Sequence, residues 1–372
     1  MTVKNVLVVG GGVTGTVAAL SLAQRGVQVT LVERSPVWYG IGHGLTVQGN
    51  ALKVFREIGA LDAILKRAHP FSNLEVHHAD GSLLATIDTP RTGGVDLPPT
   101  MGALRSDLQS VLVDMIGEAG VQVRLGTELE SFETIDDRVA VALSDGSESS
   151  FDLVIAADGI RSKTRSMLGI VEDKAPTGMG IWRVVTARKP EMDSAAIYFH
   201  GPQYKAGYTP ISDKLCYAYV LTDPVRVDNG LSDANEMKRL LEGYHGAFDF
   251  IRDNISDDDF MNFQPIEWLM VEGSWHRGRV IAVGDAVHAC PPLVAQGAAQ
   301  CAEDAFLLAD YITREGDIEA LLQQFEARRK PRVQLVVDSS LQLVEWELHP
   351  ETPGAEPAAL IASTLAQLAY PA

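Results

Sequence analysis

Residues 6–34, VLVVGGGVTGTVAALSLAQRGVQVTLVER, place three spaced glycines between two apolar runs. Residues 6–9 are continuously apolar, as expected for a central parallel strand that is buried on both faces. Gly10, Gly12 and Gly15 have the G-x-G-x-x-G spacing, which allows a tight turn, a close approach of pyrophosphate and close packing of a helix on the strand. The stretch therefore predicts a strand, a helix and a second strand that together bind a dinucleotide.

An acidic residue, Glu33, ends the second apolar run. At this position a carboxylate accepts hydrogen bonds from an adenosine ribose and repels a 2′-phosphate. The tightly bound nucleotide is therefore predicted not to be NADP. This motif by itself leaves NAD and FAD open.

A distant segment favours FAD. Residues 278–312, GRVIAVGDAVHACPPLVAQGAAQCAEDAFLLADYI, contain a buried strand that ends at Gly284 and Asp285, and a helix that opens at Gly297. An acidic residue at the strand end can accept hydrogen bonds from polyol hydroxyls, and N–H groups at the helix start can stabilise a ring carbonyl that gains negative charge on reduction. A ribityl chain and an isoalloxazine ring need these two features.

A third segment, residues 151–165 (FDLVIAADGIRSKTR), again ends a buried strand in Asp158 and Gly159. In their order and positions the three segments resemble the class A flavoprotein monooxygenases, the aromatic hydroxylases similar to para-hydroxybenzoate hydroxylase. The resemblance extends to residues 40–64, which are similar to the family's stretch covering the flavin ring, and to residues 104–112.

The resemblance implies a set of FAD contacts. In that family the first motif binds the ADP half of FAD, the Asp-Gly segment serves FAD and pyridine nucleotide, and the Gly-Asp segment binds the ribityl chain. The implied FAD-binding residues are Gly10, Gly12, Val13, Thr14, Gly15, Glu33, Arg34, Gly42, His43, Gly44, Arg105, Asp158, Gly159, Gly284, Asp285, Pro292, Gly297 and Ala298. The sequence departs from the family at Ala295 and Ala299, where glycine and asparagine are usual.

The resemblance also implies an activity. It predicts an FAD-dependent monooxygenase that uses NADH or NADPH as transient co-substrate and O2 to hydroxylate an aromatic small molecule, phenolic or heteroaromatic, through a flavin hydroperoxide. A non-oxygenating FAD-dependent NAD(P)H oxidoreductase is the alternative, and a flavin-binding redox sensor is a second one. No metal site is expected, because the sequence offers no recognisable ligand spacing.

Arg105 matches an arginine that contacts FAD in the family. In the sequence, Ser106 and Gln109 have the spacing of a capping box, which predicts that Arg105 lies at a helix start and faces an anion. A surface arginine that only covers the helix end is the alternative.

Candidate catalytic residues are His43, Tyr217 and Tyr219. His43, between two glycines, could cover the flavin, polarise the substrate, attach to the ring covalently, or only bond a nearby backbone carbonyl. In KLCYAYVL, residues 214–221, the alternation puts both tyrosines on one side. They could orient a phenolic substrate and help it lose a proton, or pack across strands.

Candidate substrate-binding residues are Arg183, Pro291 and the same two tyrosines. Arg183 follows Trp182 in a pair that is common in the family. An arginine stacked on that tryptophan at a domain boundary explains the pair equally well.

The predicted fold class is α/β, with a Rossmann-like FAD-binding domain, a smaller antiparallel β-sheet substrate domain and a C-terminal helical segment. The expected boundaries are 1–70, 101–174 and 275–330 for the FAD-binding domain, 71–100 and 175–274 for the substrate domain, and 331–372 for the C-terminal helices. Residues 72–87 and the loop 88–100 are expected to add strands to the substrate domain. Residues 318–346 are expected to form one or two helices, with Pro331 marking a start or a kink.

Composition limits the partners. With 49 acidic and 31 basic residues and a net charge of −18, the chain would repel nucleic acid and an anionic membrane surface. Three scattered cysteines and the lack of a signal peptide or an apolar span predict a cytoplasmic protein. It is expected to be a monomer or homodimer that acts on a small-molecule substrate.

Overall fold

The computed structural model describes residues 3–38, 42–226 and 232–372. At its centre lies a six-stranded sheet of order β18-β19-β12-β1-β2-β8, which is parallel except for the edge strand β18. Its strands are β1 (Asn5–Val9), β2 (Gln28–Glu33), β8 (Gln122–Leu125), β12 (Leu153–Ala156), β18 (His276–Arg277) and β19 (Val280–Ala282). Leu7, Leu31 and Val154 are fully buried, which confirms that the apolar runs mark central parallel strands.

The glycine motif produces the predicted strand, helix and strand. Helix α1 follows β1 directly and packs against α4 and α8, which follow the Arg105 and Gly297 positions in the sequence. The helices are α1 (Val13–Ala23), α2 (Gly49–Glu57), α3 (Leu61–Leu65), α4 (Arg105–Glu118), α5 (Lys163–Met167), α6 (Asp233–Leu240), α7 (Ala247–Asn254), α8 (Gly297–Ile312), α9 (Ile318–Leu348) and α10 (Pro357–Leu368), with short 3-10 turns at Gly284–Ala286 and Pro292–Val294.

A seven-stranded sheet of order β17-β13-β16-β15-β14-β5-β6 forms the second layer. Its strands are β5 (Asn73–His78), β6 (Leu83–Asp88), β13 (Ala175–Ala187), β14 (Ala195–Phe199), β15 (Lys205–Pro210), β16 (Leu215–Thr222) and β17 (Met261–Trp268). The predicted antiparallel pairing holds for five neighbouring pairs, but β14 pairs with β5 in parallel. Residues 72–87 thus join this sheet as expected.

The loop at 89–99 contributes no strand, contrary to expectation. Its chain packs closely against the start of α2, where a Cβ added to Gly93 would lie 2.1 Å from the carbonyl oxygen of Gly49. The strand that follows, β7 (Thr100–Leu104), joins a separate three-stranded sheet with β3 (Gly44–Gln48) and β4 (His69–Phe71). A last small sheet contains β9 (Leu129–Ile135), β10 (Arg138–Leu143) and β11 (Glu148–Phe151).

The alternation of β16 separates two surfaces of the seven-stranded sheet. Cys216, Ala218 and Val220 are fully buried in a core shared with α6 and α7. The opposite surface carries Tyr217 and Tyr219 and is called the tyrosine face. It faces β3, because a Cβ added to Gly44 would lie 2.2 Å from Cβ of Tyr217. The two sheets therefore meet along the tyrosine face.

At the C-terminal end, α9 is one continuous helix that contains Pro331. The predicted start of the C-terminal segment at residue 331 falls inside it. Proline removes one N–H from the helix, and the helix nevertheless continues past Pro331 while packing on α8 and α10.

Candidate active site

The turn at residues 10–15, between β1 and α1, is called the glycine turn, and it has the shape that a bound pyrophosphate requires. A Cβ added to Gly10, whose φ is +104°, would lie 2.4 Å from the carbonyl oxygen of Ala157, and a Cβ added to Gly15 would lie 1.8 Å from the oxygen of Gly10. These two glycines are therefore required by packing. At Gly12 an added Cβ meets no atom within 4 Å, so this glycine faces open space at the start of α1.

The start of α1 can hold an anion. Gly12 is its N-cap, and no side chain among the described residues caps it. The first N–H groups of a helix lack partners inside the helix and carry partial positive charge. Val13 and Thr14 follow at once, so their N–H groups lie beside the open space at Gly12.

Glu33 is buried at the end of β2, with 6% of its surface exposed. Its Oε2 accepts from the Gly11 N–H at 2.7 Å and its Oε1 from the Ser35 N–H at 2.9 Å. An ionised carboxylate has about four acceptor positions, so two remain for ribose hydroxyls. The neighbouring Arg34 is exposed.

Helix α4 begins at Arg105 with Leu104 as N-cap, so the predicted capping box of Ser106 and Gln109 is wrong. The Gln109 side chain instead donates to the carbonyl oxygen of Gly11 at 2.7 Å and holds the glycine turn. The spacing of Ser106 and Gln109 was misleading because the Gln109 amide makes this tertiary hydrogen bond and not a bond within the helix start.

Arg105 lies at the helix start as predicted, and its side chain is exposed. Its backbone N–H donates to the carbonyl oxygen of His43 at 3.1 Å, and a Cβ added to Gly42 would lie 3.3 Å from its Cβ. The Arg105 guanidinium has no acidic partner among the described residues, so it is available to a bound anion.

The Asp-Gly segment follows β12 and touches the glycine turn, since a Cβ added to Gly10 would lie 3.0 Å from Cα of Asp158. The Asp158 carboxylate accepts from the Ser162 hydroxyl at 2.6 Å and from the hydroxyl and N–H of Thr164 at 2.9 and 3.1 Å. It therefore orders the start of α5. Gly159 has a φ of +78°, which suits glycine.

The Gly-Asp segment and the glycine motif are neighbours. Gly284 has a φ of +63°, and a Cβ there would lie 2.5 Å from Oγ1 of Thr14. Asp285 follows with its side chain exposed. Two segments from opposite ends of the sequence thus form one edge of the sheet, as a single dinucleotide would need.

The start of α8 resembles the start of α1. Its N-cap is Gln296, and no described side chain caps the helix. The Gly297 and Ala298 N–H groups therefore remain free for a ligand. Pro292 just before the helix is exposed and Pro291 is buried.

The two departures from the family differ in kind. Ala299 is 1% exposed and its methyl packs in the main core. The methyl therefore does not reduce the space open to a ligand at the start of α8. Ala295 has φ 53° and ψ 37°, a left-handed conformation that glycine adopts without strain.

We expect Ala295→Gly to raise the free energy of unfolding by about 1 kcal/mol, because it relieves the left-handed conformation. Denaturant unfolding of the purified protein measures this change. Gly26→Ala is the matched control of opposite sign, since Gly26 has a φ of +79° and an added Cβ meets no atom within 4 Å. An unchanged or lower stability of Ala295→Gly would contradict the prediction.

On the tyrosine face, the two tyrosines differ in their partners. The Tyr217 hydroxyl accepts from Nε of Arg183 at 3.1 Å, and Nη1 of Arg183 also donates to Gln264 at 3.2 Å. Burial raises the pKa of Tyr217, and Arg183 offsets part of that rise. The Tyr217 hydroxyl thus keeps its own proton to donate.

Tyr219 lies next to Tyr217, with ring centroids 5.7 Å apart. Its ring packs in an apolar cluster with Leu293 and Leu348, and burial raises the pKa of its hydroxyl. Trp182 is not stacked by Arg183; Arg226 lies over its ring, 5.3 Å from the centroid. The alternative explanation of the Trp-Arg pair, a stack of Arg183 on Trp182, therefore does not apply, because alternation on β13 points Arg183 to the tyrosine face.

His43 directly precedes β3 and lies opposite the tyrosine face, with its ring centroid 6.0 Å from that of Tyr217. Nδ1 lies 2.8 Å from the carbonyl oxygen of Gly44, and a carbonyl only accepts, so Nδ1 carries the proton. Burial, the charge of Arg183 and then that of Arg105 lower the pKa of His43 to about 4, against a rise from the Gly44 bond. His43 is therefore neutral at pH 7, with Nε2 as an acceptor.

The low pKa of His43 predicts acid sensitivity. Below pH 6.5 the unfolded imidazole binds a proton that the folded one, with a pKa of about 4, does not, so acidification favours unfolding in this window. Between pH 7.5 and 5.5 we expect the free energy of unfolding to fall about 1 kcal/mol more in the wild type than in His43→Gln. Urea unfolding at both pH values measures this, and parallel losses would contradict it.

Arg165, which joins two segments of the site, was missed in the sequence analysis. Arg165 is 3% exposed, and its Nη1 donates to the carbonyl oxygens of Ile160 and Ala286, each at 3.0 Å. It joins the Asp-Gly and Gly-Asp segments. The final arginine of the quoted Asp-Gly stretch was the available signal, but its partner could not be read from spacing.

Comparison with known proteins identifies the family. A family model described as the FAD binding domain matches residues 4–340. A putative FAD-dependent monooxygenase, YetM of Bacillus subtilis (strain 168), is 31% identical over 358 residues, 95% of this chain and 96% of the relative. The chain belongs to the class A flavoprotein monooxygenases. This FAD-dependent monooxygenase has the α/β fold predicted from its sequence.

Other relatives of the monooxygenase are similar along nearly the whole chain. The 2-heptyl-3-hydroxy-4(1H)-quinolone synthase of Pseudomonas aeruginosa PAO1 is 29% identical over 349 residues, 92% of this chain and 90% of the relative. The solved tetrameric form of 2-methyl-3-hydroxypyridine-5-carboxylic acid oxygenase has a TM-score of 0.80 at 25% identity and covers 98% of both chains.

The geometry of the monooxygenase fits FAD. A set of donors and acceptors for a dinucleotide is formed by the open space at Gly12, the exposed Asp285, the starts of α1 and α8, and Arg105; within the described ranges, no side chain caps either helix start and no acidic group pairs with Arg105. Across its described residues, no helix is both long enough and apolar enough to span a membrane.

Proposed function

We propose that the monooxygenase uses NADH or NADPH and O2 to hydroxylate a nitrogen-containing heteroaromatic ring that carries a hydroxyl or oxo group. The observations that carry this proposal are the contact of the Gly-Asp turn with the glycine turn at Thr14 and the position of His43, which contacts both Arg105 and the tyrosine face. FAD, when bound, supplies the electron transfer and the activation of oxygen.

The FAD-binding part of the proposal assigns the ADP half to the start of α1 and to Glu33. The Asp285 carboxylate would accept from the ribityl hydroxyls, and the Gly297 and Ala298 N–H groups would face the ring. Arg105, whose guanidinium lacks an acidic partner in the described chain, would bind the pyrophosphate.

The substrate part rests on Tyr217 and its partners. Because Nε of Arg183 donates to the Tyr217 oxygen at 3.1 Å, the Tyr217 proton is directed to another acceptor, which we assign to the substrate oxygen. The nearby Arg183 charge stabilises negative charge on that oxygen and so raises electron density in the ring. His43 in its neutral form presents Nε2 as an acceptor for a ring N–H or O–H.

Two relatives support a nitrogen heterocycle, since they are named for a hydroxyquinolone and a hydroxypyridine. The apolar cluster around Tyr219 and Leu293 lies beside the polar group and would cover the rest of the ring. Its apolar side chains also exclude water from the reacting position.

The test uses the purified protein loaded with FAD and a panel of 4-quinolones, hydroxypyridines and simple phenols. We expect a heteroaromatic compound to accelerate NADH or NADPH oxidation, and the product to gain one oxygen atom from ¹⁸O2 by mass spectrometry. Substrate-stimulated oxidation of NAD(P)H without O2 uptake would identify a non-oxygenating oxidoreductase. Stimulation by phenols alone would overturn the heteroaromatic assignment.

A further inference from the structure

A buried charged cluster lies behind the proposed flavin site and has no part in the function described so far. It contains Glu303 and Asp304 on α8 and Arg329 and Arg332 on α9. Asp304 and Arg329 are 0% exposed and Glu303 is 4% exposed. Burial of charges is costly unless each has a partner, so the geometry of this cluster must be tightly defined.

Asp304 connects the cluster to the Gly-Asp turn. Its Oδ2 accepts from the Gly284 N–H at 2.9 Å and from Nε2 of His288 at 2.6 Å, and its Oδ1 accepts from Nε of Arg329 at 2.6 Å. Burial raises the pKa of Asp304, but the charges of His288 and Arg329 outweigh burial and lower it to about 2. An ionised acceptor thus holds the residue immediately before Asp285.

Glu303 connects the same cluster to the start of α8. Nη1 of Arg329 donates to Glu303 at 2.9 Å, and Nδ2 of Asn50 donates both to Glu303 at 3.0 Å and to Gln296 at 3.1 Å. Gln300 also donates to the Gln296 oxygen at 2.9 Å. Gln296 directly precedes Gly297, so both proposed flavin-binding segments are tied to one arginine.

We infer that Asp304 is a positioning residue that fixes the Gly284 turn, so that Asp285 meets the flavin half of FAD. The inference rests on the proposed FAD contacts. Asp304 does not itself contact FAD in this proposal; it fixes the turn by accepting a hydrogen bond from the Gly284 N–H. The hydrogen bonds of Asp304 go to Gly284, His288 and Arg329 and not to the start of α1, where the ADP half is proposed to bind, so binding of that half should be affected less.

The test compares the affinities of the apoprotein for FAD and for ADP, which contains only the half bound at α1. In Asp304→Asn, the amide nitrogen replaces either Oδ2, which faces the Gly284 and His288 donors, or Oδ1, which faces Nε of Arg329, so at least one of these donors loses its acceptor. We expect the dissociation constant for FAD to rise by roughly tenfold to a hundredfold, with the ADP constant changed less than about twofold. The visible absorption spectrum of bound FAD should also shift.

Arg329→Lys provides a second variant if Asp304→Asn folds poorly. It keeps the positive charge but cannot bond Asp304, Glu303 and Gln300 together, so a smaller loss of FAD affinity with unchanged ADP affinity is expected. Glu326→Gln is the matched control. Glu326 is another buried carboxylate on α9, which accepts from the Trp275 N–H at 2.9 Å, and its variant should bind both ligands as the wild type does.

The outcomes separate this inference from the proposed function. Wild-type affinity and spectrum for FAD in Asp304→Asn, or an equal loss of FAD and ADP affinity, would overturn the positioning role. A wild-type protein that cannot bind FAD would instead overturn the proposed FAD contacts, and the inference with them.

Discussion

The Gly12→Asp variant is expected to fold like the wild type and to bind FAD at least about a hundredfold more weakly. The backbone φ of Gly12 is −74°, and an added Cβ meets no atom within 4 Å, so the side chain fits. As N-cap of α1, aspartate should even stabilise the apoprotein by a few tenths of a kcal/mol. The same carboxylate would stand where the pyrophosphate is proposed to bind, and like charges about 4 Å apart repel by several kcal/mol.

The measurement is FAD titration of the apoprotein by flavin fluorescence, together with thermal unfolding of the apoprotein. Gly12→Asn is the matched control, because it caps the helix and has the same size but no charge. Its FAD affinity should lie between those of the wild type and Gly12→Asp. Wild-type affinity in Gly12→Asp would place the pyrophosphate elsewhere.

The second large effect is expected for Tyr217→Phe, which should lower kcat/KM for the aromatic substrate by roughly tenfold to a hundredfold. The variant removes the hydroxyl that receives the Arg183 hydrogen bond and donates to the substrate oxygen in our proposal. FAD affinity should stay the same, because none of the proposed FAD contacts uses this hydroxyl. Steady-state O2 uptake with a fixed substrate measures the change.

Tyr219→Phe is the control for this variant on the same strand and the same face. Its ring packs against the same buried apolar cluster as Leu293 and Leu348, and no described residue bonds its hydroxyl. We expect its kcat/KM to change less than about twofold. Equal effects of the two substitutions would remove the distinction between the tyrosines and with it the assigned role of Tyr217.

Local patterns were sufficient where neighbours in sequence are neighbours in space. The turn at Gly10 and the helix that follows depend on residues within one short stretch, and both were predicted from it. The sheet around β16 followed from alternation, which is also local. The position of Arg105 at a helix start was predicted correctly, although for the wrong reason, since the expected capping residue binds Gly11 instead.

Tertiary contacts decided what the sequence could not. Arg329 bonds two carboxylates of another helix, and the spacing within either helix does not reveal such a pair. Sequence spacing likewise does not reveal that Arg226, and not the adjacent Arg183, lies over the ring of Trp182. The parallel pairing of β14 with β5 joins strands that are far apart in the sequence, and strand patterns contain no information on such partners.

That parallel pair has a consequence for biosynthesis. The seven-stranded sheet combines strands that precede β12 with strands that follow it, and the six-stranded sheet is completed only by β19. Neither sheet can therefore be completed while its later strands remain in the ribosome. Pairing of strands that are distant in sequence also costs loop-closure entropy before the contacts stabilise the sheet. Release of most of the chain should therefore precede stable folding, and the nascent intermediates should expose unpaired strand edges.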